Sequence, residues 1–292
     1  MAKFVPDIKT QRWIVISSGR VQRPDQTKKE PEVQKPQVKV DPFAVGNEHM
    51  TPPEVFRIGE GDANKPGWKV RVVPNKYPIT DIHEVIIHST DLVKDIEELP
   101  LDQVEQIFYT YRQRYQTHRK DGQVLIFANH GEMAGPSLAH PHSQLVVIPR
   151  QINLDALARE PVNNVVEENK YFTVYCPDFS QWPYEVWIAP KAEKTYFGDI
   201  KDDEVKDLSK LMKSAICRLH GCYDNEEVIK FRAKADFAYN YYISHGENWF
   251  LRIIPRLIHR AGFELGTGLS VNIVDPKDAA LNMASKEFCK IT

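Results

Sequence analysis

"SLAHPHSQLVVIPR", residues 137–150, carries the decisive pattern of the chain. Leu145, Val146, Val147 and Ile148 have strand composition, and Pro149 ends the run. Side chains of a strand alternate between its faces, so His140, His142 and Gln144 are expected to share one face at a strand mouth. Pro141 cannot donate to a sheet ladder and belongs at the strand's entrance or on an edge. The same ending returns later: "QLVVIPR" (144–150) is paralleled by "FLRIIPR" (250–256).

Working outward from these two stretches, the elements around each recur in one order. In the first half, "WKVRVVPNKYP" (68–78) and "HEVIIHS" (83–89) read as strands. "PLDQVEQIFYTYRQRYQTHRK" (100–120) has apolar residues at helical spacing, Leu101, Val104, Ile107, Phe108, Tyr111 and Tyr115. "QVLIFANHG" (123–131) is a further strand. In the second half the order is "KYFTVYCPDFSQWPYEVWIAPK" (170–191), the amphipathic "DDEVKDLSKLMKSAICRLHG" (202–221), "FAYNYYISHG" and "FLRIIPR". An internal duplication follows, in which only the first copy keeps its histidines. On the register of the two Pro-Arg endings, Asn248 falls at the place of His142 and Gly246 at that of His140. The expected boundary lies in 152–168, which divides the chain into 1–160 and 161–292. The fold class is α/β (α+β), two similar halves, each an antiparallel sheet with a packed helix. "RWIVIS" (12–17) adds a short strand, and the Pro-, Lys- and Gln-rich 19–42 is expected to be a long loop or arm.

Composition narrows the function. The 292 residues suffice for one large or two ordinary domains. A net charge of −2 argues against nucleic-acid or membrane-surface binding through bulk charge. No stretch reaches the roughly 18 apolar residues of a membrane helix, and "MAKFVPDIKT" has no signal-peptide core. The cysteines Cys176, Cys217, Cys222 and Cys289 form no CxxC pair, which points to a reducing cytoplasm.

The chemistry of the strand mouth has several readings. Two histidines with one residue between them are half of a metal site, or ordinary structural groups. They also suit a nucleophile: a neutral imidazole nitrogen can attack phosphorus if its other nitrogen donates to a fixed acceptor. Gln144 and the amides of "AGPS" (134–137) can then donate to phosphate oxygens, and Gly135 lets the backbone approach an anion. Arg20 and Arg23 are either a solvated loop pair or phosphate forks. No Walker or dinucleotide glycine pattern is present.

Asn129, the glycine turn, Ser137 and His140-Pro141-His142-x-Gln144 together resemble the signature of the galactose-1-phosphate uridylyltransferases, in the histidine-triad superfamily. "RWIVISSGRVQRPD", "DPFAVGNEHMTP", "WPYEVWIAPK" and "PRLIHRAGFELGTG" extend the resemblance over most of the chain. It implies two histidine-triad-like halves, the second degenerate and contributing to the sugar pocket. It implies a ping-pong uridylyltransferase of galactose metabolism with a nucleotide sugar and a sugar 1-phosphate as partners, and a homodimer. His142 would be the nucleophile, Gln144 and Ser137 phosphate ligands, and His140 a structural group whose carbonyl receives the His142 ring proton. Arg20, Arg23, Asn75, Asn129, Gly135 and Ser137 would surround the nucleotide, and Glu264 and Phe263 the sugar.

The chain departs from the family at its zinc site. Asp41 and Ala44 stand where the family has cysteines, and Leu92 where it has a histidine. One remaining ligand does not hold zinc, so no metal and no cofactor are expected; His49, His83 and His88 are the other nearby candidates. Pro136 replaces a cysteine and Phe263 a tyrosine, which leaves the sugar and the base open. The alternatives are a nucleotide-sugar or dinucleotide phosphorylase with the same histidine chemistry, a nucleotide-binding protein with little turnover, and a hydrolase. The glutamine at position 144, in place of a third histidine, disfavours the hydrolase.

Overall fold

The computed structural model describes residues 2–6, 13–18, 20, 40–154, 157, 159 and 161–285. The alternating apolar segments pair, wholly antiparallel, into a ten-stranded sheet. Its first-half strands are β3 (Phe56–Gly59), β4 (Trp68–Pro74), β5 (Ile82–Ile87), β6 (Gln123–His130) and β7 (His142–Ile148). Its second-half strands are β8 (Val165–Glu168), β9 (Phe172–Tyr175), β10 (Val186–Pro190), β11 (Tyr239–Ile243) and β12 (Leu251–Pro255). Across the sheet the order is β3-β4-β5-β7-β6-β11-β12-β10-β9-β8. The five strands of each half thus follow one pattern, reversed in direction across the β6–β11 seam, where Asn129 lies opposite Asn240. β1 (Lys3–Pro6) and β2 (Trp13–Ile16) form a separate hairpin ladder.

The helices cover one face. α1 (Leu101–His118) buries Val104, Ile107, Phe108, Tyr111 and Tyr115, and α2 (Asp202–Tyr223) buries Leu208, Met212, Ala215, Ile216 and Leu219. Both stripes join one core with Val70, Val72, Ile86, Leu145, Ile188 and Ile253 of the sheet. Full burial of each large aliphatic chain contributes roughly 1.5–3 kcal/mol. The first turn of α2 carries Asp202, Asp203 and Glu204, and the Glu204 carboxylate accepts from the Lys201 amide. This satisfies an otherwise open donor and complements the helix dipole.

The opposite face is divided. In the first half it carries Phe43, Trp68, Val73, Val85 and Ile87; in the second, Tyr175, Trp187, Ala189 and Phe250. The period of two sends Ser143, Leu145 and Val147 of β7 toward the helices, and His142 and Gln144 to the other face.

Two local expectations change. His140 does not lie on the strand, which begins at His142; its ring is held by Asp41 and Ser89 ahead of the ladder. Within the expected linker, Val165–Glu168 forms the edge strand β8. Its two charged residues mask an apolar pattern that needs only one buried face. Most of 19–42 lies outside the described residues.

Candidate active site

A pocket opens at the mouth of β7. It is walled by Pro42, Phe43, Thr51 and Pro52 of the segment before β3, by Asn75, Lys76 and Tyr77 after β4, and by Ser137. His142 and Gln144 form its floor. Sequence order does not join these segments; the β4-β5-β7 ladder does.

The His142 ring Nδ1 lies 2.8 Å from the carbonyl oxygen of His140. A carbonyl only accepts, so Nδ1 carries the proton and Nε2 keeps its lone pair. The edge of Phe43 packs on the His142 ring, with centroids 5.4 Å apart. Burial pushes the imidazole down to about 4, against the hydrogen bond to His140. The ring is therefore neutral at pH 7, as nucleophilic attack requires.

The wall segment is pinned by buried polar groups. Arg71, 1 % exposed, donates to Glu54 and Thr51. Glu48 accepts from the Trp68 indole and the Gly46 amide. Asp41 accepts from the Phe43 amide and lies 2.7 Å from His140 Nδ1, while His140 Nε2 faces the Ser89 carbonyl at 2.9 Å. Burial raises the Asp41 carboxyl, but hydrogen bonds from His140 and the Phe43 amide, with the nearby imidazoles, outweigh it and hold it below the usual carboxylate range.

These residues do not fit the family's zinc. Asp41 and His140 meet each other directly, Ala44 offers no donor atom, and Leu92 is apolar and about half exposed. Among the described residues no group of three or more His, Cys, Asp or Glu side chains is arranged to hold a metal. The other candidates have different positions: His88 is bonded to Asp95 and Tyr111, His83 to Gln144, and His49 is exposed.

The expected nucleotide ligands are only partly gathered. Ser137, Asn75, His142 and Gln144 line the pocket. Asn129 points instead to the seam, where Asn240 donates to it at 2.8 Å and to the Ala134 carbonyl at 3.1 Å. This tethers the turn before Ser137. Gly135 closes that turn at φ +75° without lining the pocket, a conformation that favours glycine. Arg20 donates to the carbonyl of the wall residue Tyr77 at 2.7 Å, and Arg23 lies outside the described residues. Glu264 and Phe263 sit on the exposed helix α3 (Gly262–Thr267) and do not line this pocket. Glu264 there accepts from the Ala261 amide. Phe43, Glu48, Arg71 and Lys76 were not singled out by sequence reasoning. Their only signal is the family-like stretch 41–52 for the first two; for the others there is none.

The profile of the galactose-1-phosphate uridyl transferase N-terminal domain matches residues 81–147, which span β5, β6, β7 and the glycine turn. An ADP-glucose phosphorylase of Arabidopsis thaliana is 27 % identical, over 93 % of this chain and 89 % of its own length. A galactose-1-phosphate uridylyltransferase of Thermotoga maritima is 23 % identical, over 95 % and 96 %. The chain is similar to the galactose-1-phosphate uridylyltransferase family along most of its length. Its relatives support a nucleotidyltransferase enzyme. The crystal structure of the Arabidopsis thaliana ADP-glucose phosphorylase with bound ADP-glucose shares its fold, with a TM-score of 0.72 at 24 % identity over 98 % and 99 % of the two chains. No helix among the described residues is long and apolar enough to cross a membrane.

Proposed function

We propose that the chain moves UMP from UDP-glucose to a hexose 1-phosphate, with galactose 1-phosphate as the first acceptor to examine, through a nucleotidyl-histidine intermediate. One observation carries this reading: in the pocket His142 Nδ1 is engaged by the His140 carbonyl, and among the described residues Nε2 has no partner. In the first step Nε2 attacks the α-phosphorus in line. The Nε2–P bond forms as the bond to the bridging oxygen breaks, and glucose 1-phosphate leaves with that oxygen. The positive charge on the ring is stabilised by the Nδ1–H bond to the carbonyl. Gln144 and Ser137 donate to the phosphoryl oxygens, where charge is greatest in the transition state. A second sugar 1-phosphate then attacks phosphorus and releases the histidine. Two in-line displacements retain configuration.

The Asp41–His140 pair takes over the shaping of the strand mouth, so we propose a metal-independent enzyme without a cofactor. The division into 1–160 and 161–292 is likewise a proposal; the paired strand order in each half supports it. Glu264 and Phe263 do not line the pocket of their own chain, so as sugar ligands they would act on a second copy in a homodimer. Cys176 and Cys222 are buried thiols, in keeping with a cytoplasmic home.

A second reading keeps the histidine chemistry and replaces the acceptor by inorganic phosphate. It is favoured by the 27 % identity to an ADP-glucose phosphorylase. Turnover separates the two. UDP-glucose with galactose 1-phosphate should yield UDP-galactose and glucose 1-phosphate. ADP and glucose 1-phosphate formed only from ADP-glucose and phosphate would replace the first reading by the second. Absence of both products would reject nucleotidyl transfer to either acceptor.

A further inference from the structure

A carboxamide has a donor end and an acceptor end of nearly equal shape. Gln144 assists a phosphoryl group only if its NH2 end faces the pocket; the oxygen end would repel phosphate. The surrounding hydrogen bonds decide which end that is. The Ile79 amide lies 2.9 Å from His83 Nδ1. A backbone N–H only donates, so Nδ1 holds a lone pair and the proton of the ring sits on Nε2. That Nε2–H lies 2.9 Å from Gln144 Oε1. Gln144 therefore accepts there, and its NH2 group is turned away from His83.

The neighbouring amide does not compete. Asn75 Oδ1 accepts from the Tyr77 amide at 2.8 Å, which fixes its orientation. Its Nδ2 approaches His83 Nε2 at 3.1 Å, but both are then donors and no bond results. The frame is stiff. The Asn75 amide donates to the His83 carbonyl, Thr80 Oγ1 donates to the Ile82 carbonyl, and His83 and Gln144 are 4 % and 6 % exposed.

We propose that His83 is a positioning residue for nucleotidyl transfer: it holds the Gln144 amide with its donor end toward the phosphoryl group. This rests on the reading of His142 as nucleophile. Unlike His142, His83 does not line the pocket; it acts through Gln144.

The test has two arms. The first follows single-turnover labelling of the protein by UDP-glucose, or by ADP-glucose if that is the donor the wild type takes. His83→Leu should slow labelling by about 10–100-fold, while the Kd of the nucleotide sugar moves by less than about 3-fold. In a Gln144→Leu background the same change should cost less than about 2-fold more, because the group it orients is gone. His83→Gln offers an acceptor to Ile79 and a donor to Gln144, and should restore most of the rate. Full additivity in the double variant, or undiminished labelling of His83→Leu, would overturn the proposal. The second arm needs neither variant nor turnover: nitrogen-15 spectra of the wild-type ring should show His83 as the Nε2–H tautomer, and the Nδ1–H form would overturn it. Wild-type protein that takes no label would defeat the nucleophile reading alone, with the tautomer still deciding the role of His83.

Discussion

The strands β7 and β12 occupy corresponding places in the two halves, and their surroundings differ. At the mouth of β7, His142 and Gln144 face a pocket. On the Pro-Arg register their counterparts are Asn248 and Phe250. Asn248 is not on a strand; it sits in a turn at φ +57°, where its side chain accepts from the Lys194 amide. Phe250 stacks on Trp187 with ring centroids 4.0 Å apart and planes 15° apart. Arg252 then closes the region through a two-point bond to Glu185, which also accepts from the Trp187 indole. One half keeps a concavity with polar groups pointing in; the other spends the same face on aromatic packing and a buried ion pair. Two halves of one strand order thus present a polar pocket on one side and packed aromatics with an ion pair on the other.

The contrast can be broken most forcefully at its first position. His142→Ala should lower nucleotidyl transfer by about 10⁴-fold or more, as removal of a nucleophile does. Asn248→Gly should leave transfer unchanged, since glycine accepts its positive φ. A steady-state assay of both variants checks this, and comparable losses would erase the distinction. At the second position, Phe250→Ala should cost about 3–5 kcal/mol of stability by opening a cavity against Trp187, read from urea unfolding. Gln144→Leu should instead leave the unfolding midpoint nearly in place and reduce transfer by about 10²–10³-fold.

The Asp41–His140 contact sharpens the same comparison. Asp41→Ala removes the partner of His140 and the acceptor of the Phe43 amide, and should cost about 1–3 kcal/mol, with weakened nucleotide binding. A chelator should leave the wild type unaffected; inactivation restored by zinc would contradict the metal-independent reading.

The smallest effect is one of pH. Burial lowers the His142 imidazole to about 4, so the ring stays neutral as pH falls from 7.5 to 5.5. Labelling measured under single-turnover conditions should change by less than about 2-fold over that window. An imidazole of ordinary pKa near 6.5 would be mostly protonated at pH 5.5 and labelling would fall about tenfold.

Much of this was legible in sequence. Helical spacing located α1 and α2, and the recurring Pro-Arg ending exposed the repeated order. Strand periodicity puts His142 and Gln144 on one face, while the carbonyl of His140 as partner of the His142 ring was implied by the family resemblance. The continuous sheet was not legible, because nothing in β6 or β11 alone states which edge each pairs with. The pocket wall was hidden for a similar reason: Arg71 and Glu48 act through buried bonds to residues up to 23 positions away. Asp41 reads as a lost ligand in sequence and as a partner of His140 in space. His83 is one strand over from Gln144, and only the β5–β7 register brings the two side chains together.

The central claim is that His142 carries the transferred nucleotide. Intact-protein mass spectrometry after mixing with UDP-glucose, and in parallel with ADP-glucose, tests it most directly. The account predicts a gain of one nucleoside monophosphate, absent from His142→Ala and discharged by galactose 1-phosphate or by phosphate. An adduct of equal yield in His142→Ala, or measurable binding with no adduct from either nucleotide sugar, would contradict it.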